Sequence, residues 1–359
     1  MDDQPPAPNP QTLPPMLRVL DVPAELRPPF PFPYPGHQRG PLIEEYAHRY
    51  LLQHADEIAT EHDWTYVPVY WTSYAAARPR VKKWRRLFGH PWDRRLDSFL
   101  RRSLKPGVNY FTVSQHDDGL RQKSRCIPPW PILEFGAGGC GDIPLPLLCD
   151  PHTVVGDCPN FCGMDARKMG LSPSDPIERP RDIRASFMGL IKDSPIPYPC
   201  RDGMVAALAG REEYLVQHVG NDWGLNDPDR LENKRRQFVE TLCRSVFALC
   251  PRGYGKTSFR MYEALQLGCI PVYIFDEPWL PFTDVLDWNE FAVLVPLAEV
   301  SRLHDILSSH TAADIRRKQD RVREIYPQYF TFEATVKQLV RNIASHSGNA
   351  QAETHECSA

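Results

Sequence analysis

The chain has 359 residues, 42% of them hydrophobic, which is enough apolar material for a sizeable core shared between two domains of ordinary size. A formal net charge of −3 creates no global field for nucleic acid or for an anionic membrane surface, so partners must be read from local features. No apolar run approaches the roughly 20 residues that span a bilayer, and the Pro-rich, acidic start lacks the basic-then-apolar order of a signal peptide.

Residues 1–40 hold a large share of the 37 prolines, in runs such as Pro28-Pro29-Phe30-Pro31-Phe32-Pro33. Such a segment cannot form a helix and shows no periodic apolar face, so it is expected to be a flexible lead whose removal leaves folding intact. Residues 41–183 are expected to form a first domain. Its opening helix, 43–57, puts Tyr46, Tyr50, Leu51 and Ala55 on one side, and 66–71 reads as a strand. A basic stretch follows at 78–105, with Trp84 and Trp92 interleaved. Leu96, Phe99, Leu100 and Leu104 at helical spacing suggest amphipathic helices with solvated basic faces; contact with an acidic glycan is the second reading, and a nucleic-acid groove is disfavoured. Residues 108–114 form a buried strand whose carboxyl end delivers His116 and Asp117 to a loop, on the edge where open α/β sheets bind ligands.

Among the ten cysteines, Cys140, Cys149, Cys158 and Cys162 crowd a Pro- and Gly-rich loop together with His152. Free thiols, disulfides and a zinc site are all open there, although the paired Cys-x-x-Cys halves of ordinary zinc modules are missing. Cys243, Cys250 and Cys269 fall inside expected helix or strand and act as small hydrophobes.

Residues 184–345 read as a second, Rossmann-like domain, with strands at 185–191, 214–219, 246–249, 270–275 and 291–295. Asp227-Pro228-Asp229 imitates a metal-binding Asp-x-Asp, but it also supplies an N-cap and an early Pro for the helix 229–243, which accounts for it. Helices 312–326 and 332–343 are expected to pack back across the domain junction, and 346–359 to be a disordered tail.

The chemistry concentrates at 247–288. Pro251 stops a buried strand, Gly253 and Gly255 free the backbone, and a helix expected from Thr257 aims its N–H groups at whatever anion fills the turn. Gly255-Lys256-Thr257 matches the tail of a P-loop, but the glycine required five residues before Gly255 is Cys250. A nucleotide-sugar site accounts for more. Lys256 and Arg260, with Arg201 as a further cation and the N–H groups from Gly253 to Ser258, can neutralise a diphosphate, while the carboxylate of Glu263 can accept from two ribose hydroxyls.

The run from Cys250 to Trp288, CP-x-GY-xxx-SFR-x-x-EALQLGCIPV followed by LPF-x-DVLDW, closely resembles the C-terminal signature of the exostosin family, glycosyltransferase family 47. Asn109 to Gly119 is similar to that family's strand followed by His-Asp-Trp-Gly, with Asp118 in place of the aromatic; Gly141 to Pro146 and Arg184 to Gly189 resemble further segments in the same order. The resemblance implies a GT-B fold of two facing Rossmann-like domains. It also implies an inverting transfer, without bound metal or other cofactor, from a UDP-sugar to a glycan or polysaccharide acceptor that can be acidic. Donor binding then falls to Arg201, Gly253, Lys256, Ser258, Arg260 and Glu263, and proton removal to Asp117 or His116, with Asp142 as a further option. That family works behind an N-terminal anchor in the Golgi lumen, a feature this sequence does not display. The rival readings are a noncatalytic glycan-binding or scaffold protein on a transferase fold, and a P-loop-like NTPase.

Overall fold

The computed structural model describes residues 15–31, 42–77, 91–121, 131–148, 160–161, 164–165, 180–191, 199–220 and 227–346. Two five-stranded, all-parallel sheets organise the chain. The first runs in the order β1 (Leu17–Val19), β2 (Trp64–Tyr66), β3 (Asn109–Ser114), β4 (Ile132–Gly136), β5 (Ile143–Pro144). Helices α1 (Ile43–His54), α2 (Trp71–Ala76) and α3 (Pro91–Ser103) belong to this half. Tyr66, Phe111 and Phe135 line up on adjacent strands, with ring centroids 5.1 and 6.1 Å apart, and fill the face covered by α1. Both faces of β3 are covered, so every position after Asn109 is buried, the polar Thr112 and Ser114 along with Tyr110, Phe111 and Val113.

After a small antiparallel pair, β6 (Asn160–Phe161) and β7 (Met164–Asp165), the second sheet uses β8 (Ile183–Gly189), β9 (Tyr214–His218), β10 (Ser245–Pro251), β11 (Ile270–Phe275) and β12 (Val293–Pro296). Its order is β12-β11-β10-β8-β9, so β8 has its successor on one side and β10 on the other. This reversal creates a crevice at the carboxyl ends of β8 and β10, the place where doubly wound sheets bind ligands. The helices of this half are α4 (Pro199–Leu208), α5 (Pro228–Arg244), α6 (Phe259–Gln266), α7 (Leu303–Ser308), α8 (Ala312–Tyr329) and α9 (Phe332–Ser345). The last returns to the first half, where Phe332 meets Tyr46 at 5.4 Å and the Glu61 amide donates to Ala344 O at 3.1 Å.

Several expectations are met at the level of side chains. Asp227 caps α5 by accepting from the Arg230 amide at 3.1 Å, with Pro228 at the first helical position. On α3, Leu96, Phe99 and Leu100 are buried while Arg94, Arg95, Arg101 and Arg102 face solvent, the solvated-face reading of that part of the basic stretch. Residues 78–90 of the stretch, Cys149, Cys158 and Cys162, and the tail after His346 lie outside the described residues. Cys140 is disulfide-bonded, so free thiols do not describe that loop throughout; Cys243, Cys250 and Cys269 are buried free thiols. Among the described residues no helix is long and apolar enough to cross a membrane.

Three expectations need correction. The lead is not uniformly flexible: β1 lies within it, Leu17, Val22 and Leu26 are buried, and Leu20 N donates to Tyr66 O at 2.9 Å. A three-residue strand carries too little alternation to stand out among prolines. The strand expected at 66–71 occupies Trp64–Tyr66 instead, and Trp71 opens α2. That helix starts because the Glu44 carboxylate accepts from the Thr72 amide, at 3.0 and 3.1 Å, a cap supplied from 28 residues away and invisible to local reading. Finally, β4 was not expected; it is five residues long and interrupted by the buried Glu134.

Candidate functional site

The carboxyl end of β10 leads through residues 252–258 into α6, with Ser258 in extended conformation as the N-cap and its side chain free of any capping bond. Two arginines converge on the crevice beside it. Arg260 donates to Met188 O at the end of β8 and lies 4.4 Å above the Phe187 ring. Arg201, in the first turn of α4, donates to Leu190 O at 2.8 Å with its guanidinium 6.0 Å from the same ring. A Cβ on Gly253 would lie 3.6 Å from Arg201 Nη2, so arginine and loop are neighbours. Lys256 is engaged from the opposite side: its Nζ pairs with Glu277 Oε1 at 2.5 Å and sits 5.9 Å from the Trp279 ring. The sequence thus brings Arg201, Gly253, Lys256, Ser258 and Arg260 to one edge, the first two and Arg260 at the crevice itself.

Glu263, one turn after Arg260, is buried at 4% exposure. Both charges act on the thiol of Cys250, where burial dominates and drives the pKa far upward, Arg260 opposes it and Glu263 adds to it. The pair therefore shares the face of α6 turned toward the end of β10, as the one-turn spacing requires.

From the other half, the loop after β3 reaches across the gap. A Cβ on Gly255 would collide with Gly138 O and lie only 2.6 Å from Asp117 Oδ1, so no larger residue fits and the acid is set directly against the turn before α6. The Asp117 carboxyl is pushed up to about 7 by burial first and by Asp118 second, with Arg252 pulling it down. His116 is turned to its own loop: its Nδ1 accepts from the Asp118 amide at 3.1 Å. Asp142, exposed in the β4–β5 connection, accepts from Glu134 N at 2.7 Å.

Sequence reasoning missed four contributors. Arg252 pairs with Asp276, Nε to Oδ1 at 3.3 Å, and also acts on Asp117. Tyr254 hydrogen-bonds Asp118, the residue that stands in place of the family's aromatic. Trp279 Nε1 donates to Gly136 O at 3.1 Å across the gap. The Gly136-Ala137-Gly138-Gly139 run packs its backbone against Gly255 and Lys256. A glycine run at a strand end was the one available signal for this contact.

Two facing Rossmann-like domains, with a cationic turn on one and an acidic loop on the other and a final helix that returns to the first, define the GT-B class of fold. The Exostosin GT47 domain family matches residues 142–310. A probable glucuronosyltransferase of Oryza sativa subsp. japonica is 43% identical over 312 residues, covering 77% of this chain and 65% of the relative. Another rice probable glucuronosyltransferase is 28% identical, covering 78% and 67%. A probable beta-1,4-xylosyltransferase of Arabidopsis thaliana is 43% identical over 82 residues, covering 23% and 20%. The chain belongs to the exostosin family, and it spans about two thirds of the length of the rice relatives. Among solved structures, WaaG, a glycosyltransferase involved in lipopolysaccharide biosynthesis, matches at 9% identity over 92% of this chain and 100% of its own, with a TM-score of 0.41, a likeness too low to bear on the site.

Proposed function

We propose that the chain is an inverting glycosyltransferase that moves a sugar from a UDP-sugar to a hydroxyl of a glycan acceptor. The observation that carries this reading is the placement of Asp117, on a loop of the first domain, against the Gly255 turn of the second, beside the crevice flanked by Arg201 and Arg260. In the reaction, the Asp117 carboxylate takes the proton of the acceptor hydroxyl while that oxygen attacks the anomeric carbon. The bond from that carbon to the β-phosphate oxygen breaks, and its electron pair leaves with UDP. Arg201, Arg260, Lys256 and the N–H groups at the start of α6 stabilise the charge that develops on the diphosphate, which is the task a metal serves in other transferases. Lys256 reaches the phosphates by exchanging Glu277 for them. Glu263 orients the ribose. The names of the relatives suggest glucuronic acid or xylose as the transferred sugar.

The experiment is a thermal-shift series with UDP, UDP-glucuronic acid, UDP-xylose and ATP with magnesium, each with and without EDTA, followed by transfer assays with the stabilising donors. A ligand that binds only the folded state raises its stability with the logarithm of its concentration over Kd. Stabilisation by UDP compounds that survives EDTA, together with transfer, is the expected result. Stabilisation by ATP with magnesium alone would replace this reading with a nucleotide-hydrolase one, and UDP binding without any transfer would favour a glycan-binding scaffold.

A further inference from the structure

We propose that Glu44 is a positioning residue: its buried carboxylate fixes the start of the 115–119 loop and thereby holds Asp117 against the donor turn. Glu44 is fully buried in the first turn of α1. Its Oε1 accepts from the Gln115 amide at 2.9 Å, from the Thr72 amide at 3.0 Å and from the Thr72 hydroxyl at 2.6 Å, while Oε2 takes a second contact from the Thr72 amide at 3.1 Å. The connection is reciprocal, because the Gln115 side chain accepts from the Ile43 amide, next to Glu44, at 3.0 Å. One residue is thus tied by main chain and side chain to the first turn of α1, and Asp117 follows two positions later. At its far end the same loop is held by Glu134, whose Oε1 accepts from the Leu120 amide at 2.8 Å.

A buried carboxylate is costly, and burial raises Glu44 to about 7 against the lowering effect of these hydrogen bonds. Apolar packing would serve α1 alone more cheaply, so the arrangement makes sense as an anchor for three backbone segments that must keep one relative position: α1, the start of α2 and the loop after β3. The inference rests on Asp117 being the base for its catalytic consequence, but the anchoring itself does not depend on that reading.

The test compares Glu44→Ala, Glu44→Gln and Thr72→Val in the full chain. Hydrogen exchange of the 114–120 segment reads the anchoring directly; UDP affinity, kcat and its pH profile read the consequence. The expected result for Glu44→Ala is exchange of the loop amides at least tenfold faster, with the 245–275 segment unchanged and UDP affinity within twofold. Its kcat falls at least tenfold, and the acidic limb of the profile moves to lower pH as Asp117 gains solvent. The groups that act on Asp117 otherwise, Asp118 on its own loop and Arg252 and Tyr254 on the opposing turn, are untouched by the substitution. Glu44→Gln keeps an acceptor for Gln115 and should restore most of the rate; Thr72→Val, which removes a single hydroxyl donor, should lie between. Should Glu44→Ala fail to fold, the other two variants carry the comparison. Loop exchange and kcat at wild-type values in the folded variants overturn the proposal, as does a loss of rate that merely parallels a loss of UDP affinity and global stability. A wild-type protein that transfers no sugar removes the transferase reading, while the exchange data still decide the anchoring.

Discussion

At Asp117 two effects compete for one proton: burial and the neighbouring Asp118 favour the neutral acid, and Arg252 favours the carboxylate, with the balance at about 7. A base works best when its pKa lies near the working pH, so the rate should rise with pH along a limb centred near 7. Asp117→Asn should abolish that limb and reduce transfer by at least a hundredfold while UDP still binds; a pH–rate profile of wild type beside a binding curve of the variant checks this. The same shift has a sign for stability. A carboxyl whose folded pKa is raised contributes fully below the unfolded value of 3.8 and loses that contribution as pH rises toward 7, so Asp117→Asn should be the more stable protein above neutrality, measured by thermal melts at pH 5 and pH 8. On the donor side, Arg260→Ala should weaken UDP by roughly 1.5–3 kcal/mol, the range for a hydrogen bond to a charged group, and weaken UMP less, because its proposed partner is the diphosphate. Glu263→Gln should affect UDP and UMP alike, because both keep the ribose. Calorimetric titrations of the two nucleotides against the two variants separate these roles.

Elements extend the argument from side chains to the surfaces they press together. β1 and the turn after it bury Leu17, Val22 and Leu26, each worth roughly 1.5–3 kcal/mol when taken from water. Deleting residues 1–38 should therefore lower the melting temperature by at least several degrees, contrary to what the proline content alone suggests; a melt of the truncated chain decides it. The turn before α6 is tighter still. Gly255→Ala would drive a methyl group into Gly138 O and Asp117, so the halves must separate locally, and the expected outcome is a large loss of transfer with smaller loss of fold stability. What the sequence reveals about these elements follows their physics. The Rossmann half is legible because β10, α6 and β11 combine long apolar runs with a Pro stop and a Gly terminator; Gly268 does adopt the left-handed φ of 64° expected after a helix end. α2 and β1 are not legible, because one is started by a carboxylate from another helix and the other pairs with β2 across 44 intervening residues. The candidate donor residues could be picked from spacing on one helix and one turn. Arg252, Tyr254 and Trp279 could not, since their partners belong to loops whose approach only the packed chain defines.

In the whole molecule, two sheets that share no strand are joined by α9, by the Trp279 bond to Gly136 and by the contact of the Gly138 and Gly255 backbones. This division of labour is the central claim: the nucleotide is held by the second domain alone, and the acceptor proton is removed by a group from the first. Domain interfaces are also where ligand sites concentrate. Calorimetric titration of UDP into wild type, Arg260→Ala and Asp117→Asn, with transfer rates measured on the same preparations, tests it most directly. The account predicts that Arg260→Ala loses about ten- to a hundredfold in UDP affinity, equivalent to ~1.4–2.8 kcal/mol, while Asp117→Asn keeps wild-type affinity and loses transfer. Equal UDP affinity in wild type and Arg260→Ala, or wild-type transfer by Asp117→Asn, would contradict it.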